Sequence, residues 1–311
     1  MRIAVFGTGG VGGYFGGRLA QAGEEVIFIA RGEHLRAIQT NGLKVDSILG
    51  DFAVQPAVAN DNPLEVGPVD AVLVAVKAWQ VTEAAQAMRP MVAGHTSVVP
   101  LENGVEAPEQ LAAVLGKEHV LGGMCQISAL VAAPGHIRHV GIEPYIVFGE
   151  LDRLPSQRAS RLLATLQNAG IKSAISDDIQ VTMWDKFLFI AAVSGVGAVT
   201  RFPMGVYRGL AETRLMLVAA MQEIVAVAHK RGVALPEDAI EKRLAFIDSL
   251  APGVIASMQR DILEGRPSEL ESQNGAVVRM GKALGVPTPT HDFIYASLIP
   301  QEKRARGDLP A

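Results

Sequence analysis

The chain has 311 residues, more than the ~250–300 at which a single core stops growing, so two domains are expected. With 49% hydrophobic and 19% charged residues it is not a disordered chain. A formal net charge of -4 and only 5% aromatic residues speak against a basic or stacking surface for nucleic acid.

One cysteine, Cys125, excludes an internal disulfide framework and a multi-cysteine metal site. No histidine or cation adjoins it in sequence, so it reads as a small buried apolar residue rather than a reactive thiol.

In chain order, Arg2–Phe6 is a short apolar run entering a glycine turn, too brief for a signal peptide. Residues 11–22 carry a helical pattern closed by Gly23. Residues 25–30, 70–76 and 96–101 are continuous apolar runs, the mark of strands buried on both faces of a parallel sheet. Further strands are expected from Leu121, at 136–140 around a Pro134-Gly135 turn, and at 145–149. They are expected to complete the far edge of the same sheet. A helix at 156–169 and a strand at 172–176 follow.

After Asp177 only helical patterns remain, at about 179–194, 212–231, 236–250 and 268–284. The fold class is therefore α/β, a doubly wound Rossmann-type domain over residues 1–178, followed by an all-α domain over 179–311. The tail from Gln301 is expected to fray. The longest apolar stretch, Phe187 to Val199, is interrupted by Ser194, Gly195 and Gly197. It is shorter than the ~20 residues of a membrane span, so a soluble cytoplasmic protein is expected. Leu215–Ala220 suits either a homodimer face or an intramolecular core.

Gly7-Thr8-Gly9-Gly10-Val11-Gly12 is a G-x-G-x-x-G turn placed directly between a strand and a helix. That context points to a dinucleotide: the glycines allow a tight turn, close approach of a pyrophosphate and helix–sheet packing. The second strand ends Ile29-Ala30-Arg31-Gly32 without an acid. Arg31 stands where it would pair with the 2′-phosphate of NADP.

In the helical half, Lys186 enters a very apolar segment, with Ile190 and Ser194 on the same face. Two readings stand: a proton donor to a developing alkoxide, or a snorkelling lysine covering apolar surface. Ser268 and Glu271 fit a capping box. Glu269 is left over, either as a first-turn acid favoured by the helix dipole or as a site residue.

Taken with Val76-Lys77-Ala78-Trp79-Gln80, Glu102-Asn103-Gly104, Trp184-Asp185-Lys186, Ala256-Ser257-Met258 and Ser268-Glu269-Leu270-Glu271 before Asn274-Gly275, the chain resembles the ketopantoate reductase (2-dehydropantoate 2-reductase) family nearly end to end. The resemblance implies a Rossmann domain plus a helical domain, with the active site in a cleft. It implies Lys186 as proton donor and Glu269 as an acid serving cofactor and substrate. Ser257 and Asn103 would contact the substrate, Asn103 the nicotinamide as well. Lys77 and Ala129 would line the cofactor site. The family often carries asparagines where this chain has Ile190, Ser194 and Met204, and a neutral polar residue where it has Glu102. Ser194 remains a candidate substrate contact. Arg201, just beyond this helix, is a candidate carboxylate clamp or a C-terminal cation complementing the helix dipole.

The expected function is NADPH-dependent reduction of a 2-oxo acid, with 2-dehydropantoate leading and a more apolar 2-oxo acid as alternative. The rival of a different class is a non-catalytic NADP-binding sensor, for which Lys186 and Glu269 would have no use.

Overall fold

The computed structural model describes residues 1–310. The chain divides into two compact units. The first holds residues 1–102 and 107–179, the second residues 103–106 and everything from Gln180 onward.

The strands of the first unit are β1 (Arg2–Phe6), β2 (Glu25–Ile29), β3 (Leu43–Ser47), β4 (Phe52–Val54), β5 (Val58–Asn60), β6 (Ala71–Val74), β7 (Ser97–Pro100), β8 (Leu121–Gln126), β9 (Ala129–Ala133), β10 (His136–His139), β11 (Tyr145–Glu150) and β12 (Lys172–Ile175). Its helices are α1 (Gly10–Gln21), α2 (Gly32–Asn41), α3 (Pro63–Val66), α4 (Val81–Met88), α5 (Ala107–Leu115) and α6 (Gln157–Asn168).

The central sheet is parallel throughout, in the order β5-β2-β1-β6-β7. β6 is buried along its whole length, and β1 at all but its first residue. Side chains alternate across the sheet: Ile3 and Val5 enter one apolar core, Ala4 and Phe6 the other. Both faces are thus covered, which is why these runs read as continuous rather than alternating. β1 lies where the strand order reverses, and in such sheets ligands bind outside the carboxyl ends of the strands at that point.

The later strands depart from expectation. β9 and β10 do not extend the central sheet; they join β3 and β4 in a separate sheet, β4-β3-β10-β9. β8, β11 and β12 form a third, in the order β12-β11-β8, with an isolated parallel bridge between Val98 of β7 and Val120 just before β8. The cause is pairing with strands too short and polar to register as apolar runs: β3 reads Leu-Lys-Val-Asp-Ser and takes β10 in parallel register.

The second unit is helical: α7 (Ile179–Thr200, whose first residue still belongs to the first unit), α8 (Met204–Tyr207), α9 (Ala211–Lys230), α10 (Ala239–Ser249), α11 (Ser257–Leu263), α12 (Asn274–Leu284) and α13 (Pro289–Arg306). At 22 residues α7 is long and apolar enough to cross a membrane, which corrects the expectation of a stretch too short to do so. Of its most apolar window, however, 67% is buried inside the protein. A helix apolar all round is a core helix. Trp184 and Phe187 meet edge-on with ring centroids 5.6 Å apart, and burying each side chain is worth about 1.5–3 kcal/mol. Gly195 and Gly197 admit buried amides: a Cβ at either would lie 2.5 Å from Asn274 Nδ2 or 2.3 Å from Gln259 Oε1.

The tail does not fray at Gln301. α13 runs on to Arg306 through Pro300, because Glu302, only 2% exposed, accepts from the backbone N–H and hydroxyl of Ser268 and from Arg306. At its other end, Glu223 of α9 accepts from Thr290 N (2.7 Å), His291 N (3.0 Å) and His291 Nδ1 (2.7 Å). Burial pushes the Glu223 carboxyl upward, but the bonds from His291 and Thr290 outweigh it and hold the group below the ordinary carboxylate range. Leu217 and Ala220 of α9 are buried, while Leu215 is exposed.

Candidate functional site

In the first unit the G-x-G-x-x-G turn leaves β1 and opens α1. Gly7 has φ 101, a left-handed conformation that favours glycine. Ile29 O, at the end of β2, moors the turn by accepting from Gly7 N, Thr8 N (3.2 Å each) and Thr8 Oγ1 (3.0 Å). The glycines differ in what they permit. A Cβ on Gly12 would lie 2.1 Å from Gly7 O, and one on Gly10 2.3 Å from Ala129 O. Gly9 has no atom within 4 Å of such a Cβ. Close packing therefore explains Gly10 and Gly12, whereas the opening at Gly9 is room for a ligand at the N-terminus of α1. The first turn of α1 holds no acidic side chain, so the end of the dipole is left for an anion. These residues fit the phosphates of a dinucleotide. Val11 is half-buried in that first turn, and Ala129 opens β9 beside Gly10.

Arg31 is the N-cap residue of α2, directly after β2. Its side chain is 65% exposed, and Nη2 lies 3.3 Å from Glu83 Oε1. An exposed pair of this kind contributes about 0–1 kcal/mol, so a doubly charged phosphate would compete with it readily. Lys77, after β6, is exposed with Nζ 5.7 Å from the Trp79 ring centroid.

In the second unit the acid stands in an irregular turn. The expected helix from Ser268 begins only at Asn274, and the capping box does not form. Ser268 is engaged by Glu302, and Glu271 accepts from Arg279 and Tyr295. Burial, then the Glu271 carboxylate, push the Tyr295 phenol up to about 12, so it keeps the proton it donates. Gln273 N bonds to Glu269 O, four residues back as in an α-helix, but Gly275 N bonds to Leu270 O, five back, a wider turn than in the helix that follows. Glu269 is 8% exposed, and its Oε2 accepts from Asn103 Nδ2 (3.0 Å) and Gln273 Nε2 (3.2 Å).

The segment 103–106 is thus part of this unit. Arg279 bridges Glu106 and Glu271, and Gly104 would bring a Cβ 3.1 Å from Ser272 O. Asn103 and Glu269, 166 residues apart, are brought together. Gln273 was missed; its signal was the four-residue spacing from Glu269.

Lys186 is half-buried on α7, one residue after Asp185, which is bound by Arg243. Ile190 is also half-buried, and Ser194 is completely buried with a hydroxyl that has no partner among the described residues. Met204 and Glu102 are buried as well. Ser257 is exposed at the start of α11, and Arg201 is exposed just past α7 at φ 62. Neither makes a side-chain hydrogen bond or ion pair among the described residues.

Residues 3–153 match the family described as ketopantoate reductase PanE/ApbA, and residues 178–302 match its C-terminal domain. The chain belongs to the ketopantoate reductase family. It is 30% identical to the 2-dehydropantoate 2-reductase of Mesorhizobium japonicum, over 95% of this chain and 96% of that one. It is also 30% identical to the Bacillus subtilis protein named uncharacterized oxidoreductase YkpB, over 96% and 98%. A ketopantoate reductase structure from Ralstonia eutropha is similar with a TM-score of 0.90 and 32% identity, over 98% of this chain and all of that one. As a ketopantoate reductase family member the protein is an oxidoreductase with an N-terminal Rossmann-type unit and a helical C-terminal unit.

Proposed function

We propose that the protein reduces a 2-oxo acid to the 2-hydroxy acid with NADPH, 2-dehydropantoate being the first candidate substrate. The observation that carries this reading is the bond between Asn103 and Glu269. It joins two separate motifs of a reductase family around one buried carboxylate, which a dinucleotide sensor would not need.

Gly7, Thr8, Gly9, Gly10, Val11 and Gly12 hold the pyrophosphate through backbone N–H groups. Arg31 takes the 2′-phosphate, and Lys77 and Ala129 border the same ligand. When bound, the dinucleotide supplies hydride, which is its own chemistry. Lys186 Nζ gives a proton to the substrate carbonyl oxygen, so that one hydride and one proton convert the ketone to a hydroxyl. Glu269, held by Asn103, orients the hydroxyl groups of cofactor and substrate. Asn103 and Ser257 donate hydrogen bonds to the substrate.

Arg201 pairs with the substrate carboxylate. Its exposed, unpaired guanidinium supports this role, as does a left-handed backbone that costs a non-glycine residue about 1–2 kcal/mol. Ser194, being sealed inside the helical unit, is not carried into the substrate set. Ile190 stands where the family often offers an amide, so the site should accept more apolar 2-oxo acids alongside 2-dehydropantoate. The test is NADPH oxidation across a panel of 2-oxo acids of increasing side-chain bulk. Turnover of at least one acid supports the proposal; tight NADPH binding with no turnover on any acid favours the sensor.

A further inference from the structure

His34 lies on α2, three residues after Arg31. One ring nitrogen, Nε2, is 2.7 Å from Thr8 O, and the other, Nδ1, accepts from Gly135 N at 3.0 Å. The chemistry of the two partners fixes the ring. A carbonyl only accepts, so Nε2 must carry a proton. A backbone N–H only donates, so Nδ1 must be bare. The ring that satisfies both is the neutral Nε2–H tautomer.

The first bond falls on the x residue of the G-x-G-x-x-G turn. In a planar trans peptide the C=O and the following N–H point in opposite directions. Holding Thr8 O toward His34 therefore turns the Gly9 N–H to the opposite side of the chain. Gly9 is the glycine of the motif at which an added Cβ would meet no atom within 4 Å. The second bond reaches the Pro134-Gly135 turn between β9 and β10, the hairpin whose first residue, Ala129, abuts Gly10.

We propose that His34 is a positioning residue for the cofactor: it sets the Thr8–Gly9 peptide so that the Gly9 amide faces the dinucleotide phosphates, and it ties that peptide to the β9–β10 hairpin. This rests on the dinucleotide reading of the loop. A leucine at 34 would fill the space but leave Thr8 O and Gly135 N–H without a shared partner. A glutamine would restore both, its carboxamide nitrogen donating to Thr8 O and its oxygen accepting from Gly135 N.

The test is NADPH binding by calorimetry, with steady-state kinetics, on wild type, His34→Leu and His34→Gln. The loss of two hydrogen bonds predicts about a tenfold weaker Kd in His34→Leu, with the loss falling on KM for the dinucleotide rather than on kcat. His34→Gln should recover most of that affinity. Ring ¹⁵N shifts of wild-type His34 should report the Nε2–H tautomer, a readout that needs no variant to fold. Unchanged affinity in His34→Leu, a glutamine variant as weak as the leucine one, or a proton on Nδ1 would each overturn the proposal. If wild type binds neither NADPH nor NADH, the dinucleotide reading itself fails; if wild type binds and His34→Leu binds equally well, only the role of His34 does.

Discussion

The glycine loop of the first unit and the Glu269 turn of the second are built on opposite plans. In the loop nearly everything is backbone: three donors converge on Ile29 O, and the glycines are there for what they leave out. In the turn nearly everything is side chain: Asn103 and Gln273 hold Glu269, Glu302 holds Ser268, and Arg279 spans Glu106 and Glu271. A backbone device is local and tolerates few substitutions of any kind. A side-chain device draws on residues far apart in sequence, and its chemistry can be altered one group at a time.

That contrast predicts the largest single effect in the helical unit. Lys186→Ala should lower kcat by about 100- to 10,000-fold, the usual contribution of a general acid, with NADPH affinity little changed. Near-normal kcat would show that the lysine only covers apolar surface. In the loop, Gly12→Ala should cost about 1–3 kcal/mol of stability through overpacking against Gly7 O, measured by denaturant unfolding, and should weaken NADPH binding with it. A variant as stable as wild type would mean that the helix can slide away from the sheet.

Arg31→Ala should reduce the preference for NADPH over NADH by about tenfold, through loss of a charge-assisted phosphate pair. Equal affinities in wild type would remove Arg31 from the cofactor site. Arg201→Ala should raise KM for the oxo acid by a similar factor while sparing NADPH binding; an unchanged KM would leave Arg201 as a helix terminator.

The smallest effect concerns a second buried carboxylate of the helical unit. Glu223 has a folded-state value below its unfolded one, so the stability it contributes is present above the unfolded carboxylate value of about 4.3. It is lost as pH falls through the lowered value. Glu223→Gln should thus lower Tm at neutral pH by an amount that shrinks in acid. A difference independent of pH would exclude the charge as its source.

The same contrast decides what could be read from sequence. The glycine loop, β1, β2 and β6 are legible in the sequence because their signals are contiguous. The local structure around Glu269 is not legible: S-x-x-E looks like a capping box, and tertiary contact with Glu302 diverts Ser268 from it. The separate sheet of β3, β4, β9 and β10 was hidden because polar strands such as β3 carry no apolar run. Gln273 and His34 carry little sequence signal of their own because each bonds a partner that folding supplies. The order of the tail is invisible in the sequence for the same reason, since it depends on Glu302 meeting Ser268.

The most direct measurement is isotope transfer. The protein would be given a 2-oxo acid with NADPH carrying deuterium at C4 in either the R or the S position, and the product analysed by mass spectrometry. The account predicts a 2-hydroxy acid with one deuterium at C2 from one of the two labelled cofactors and none from the other. A protein that binds NADPH yet yields no labelled hydroxy acid from any 2-oxo acid would contradict it.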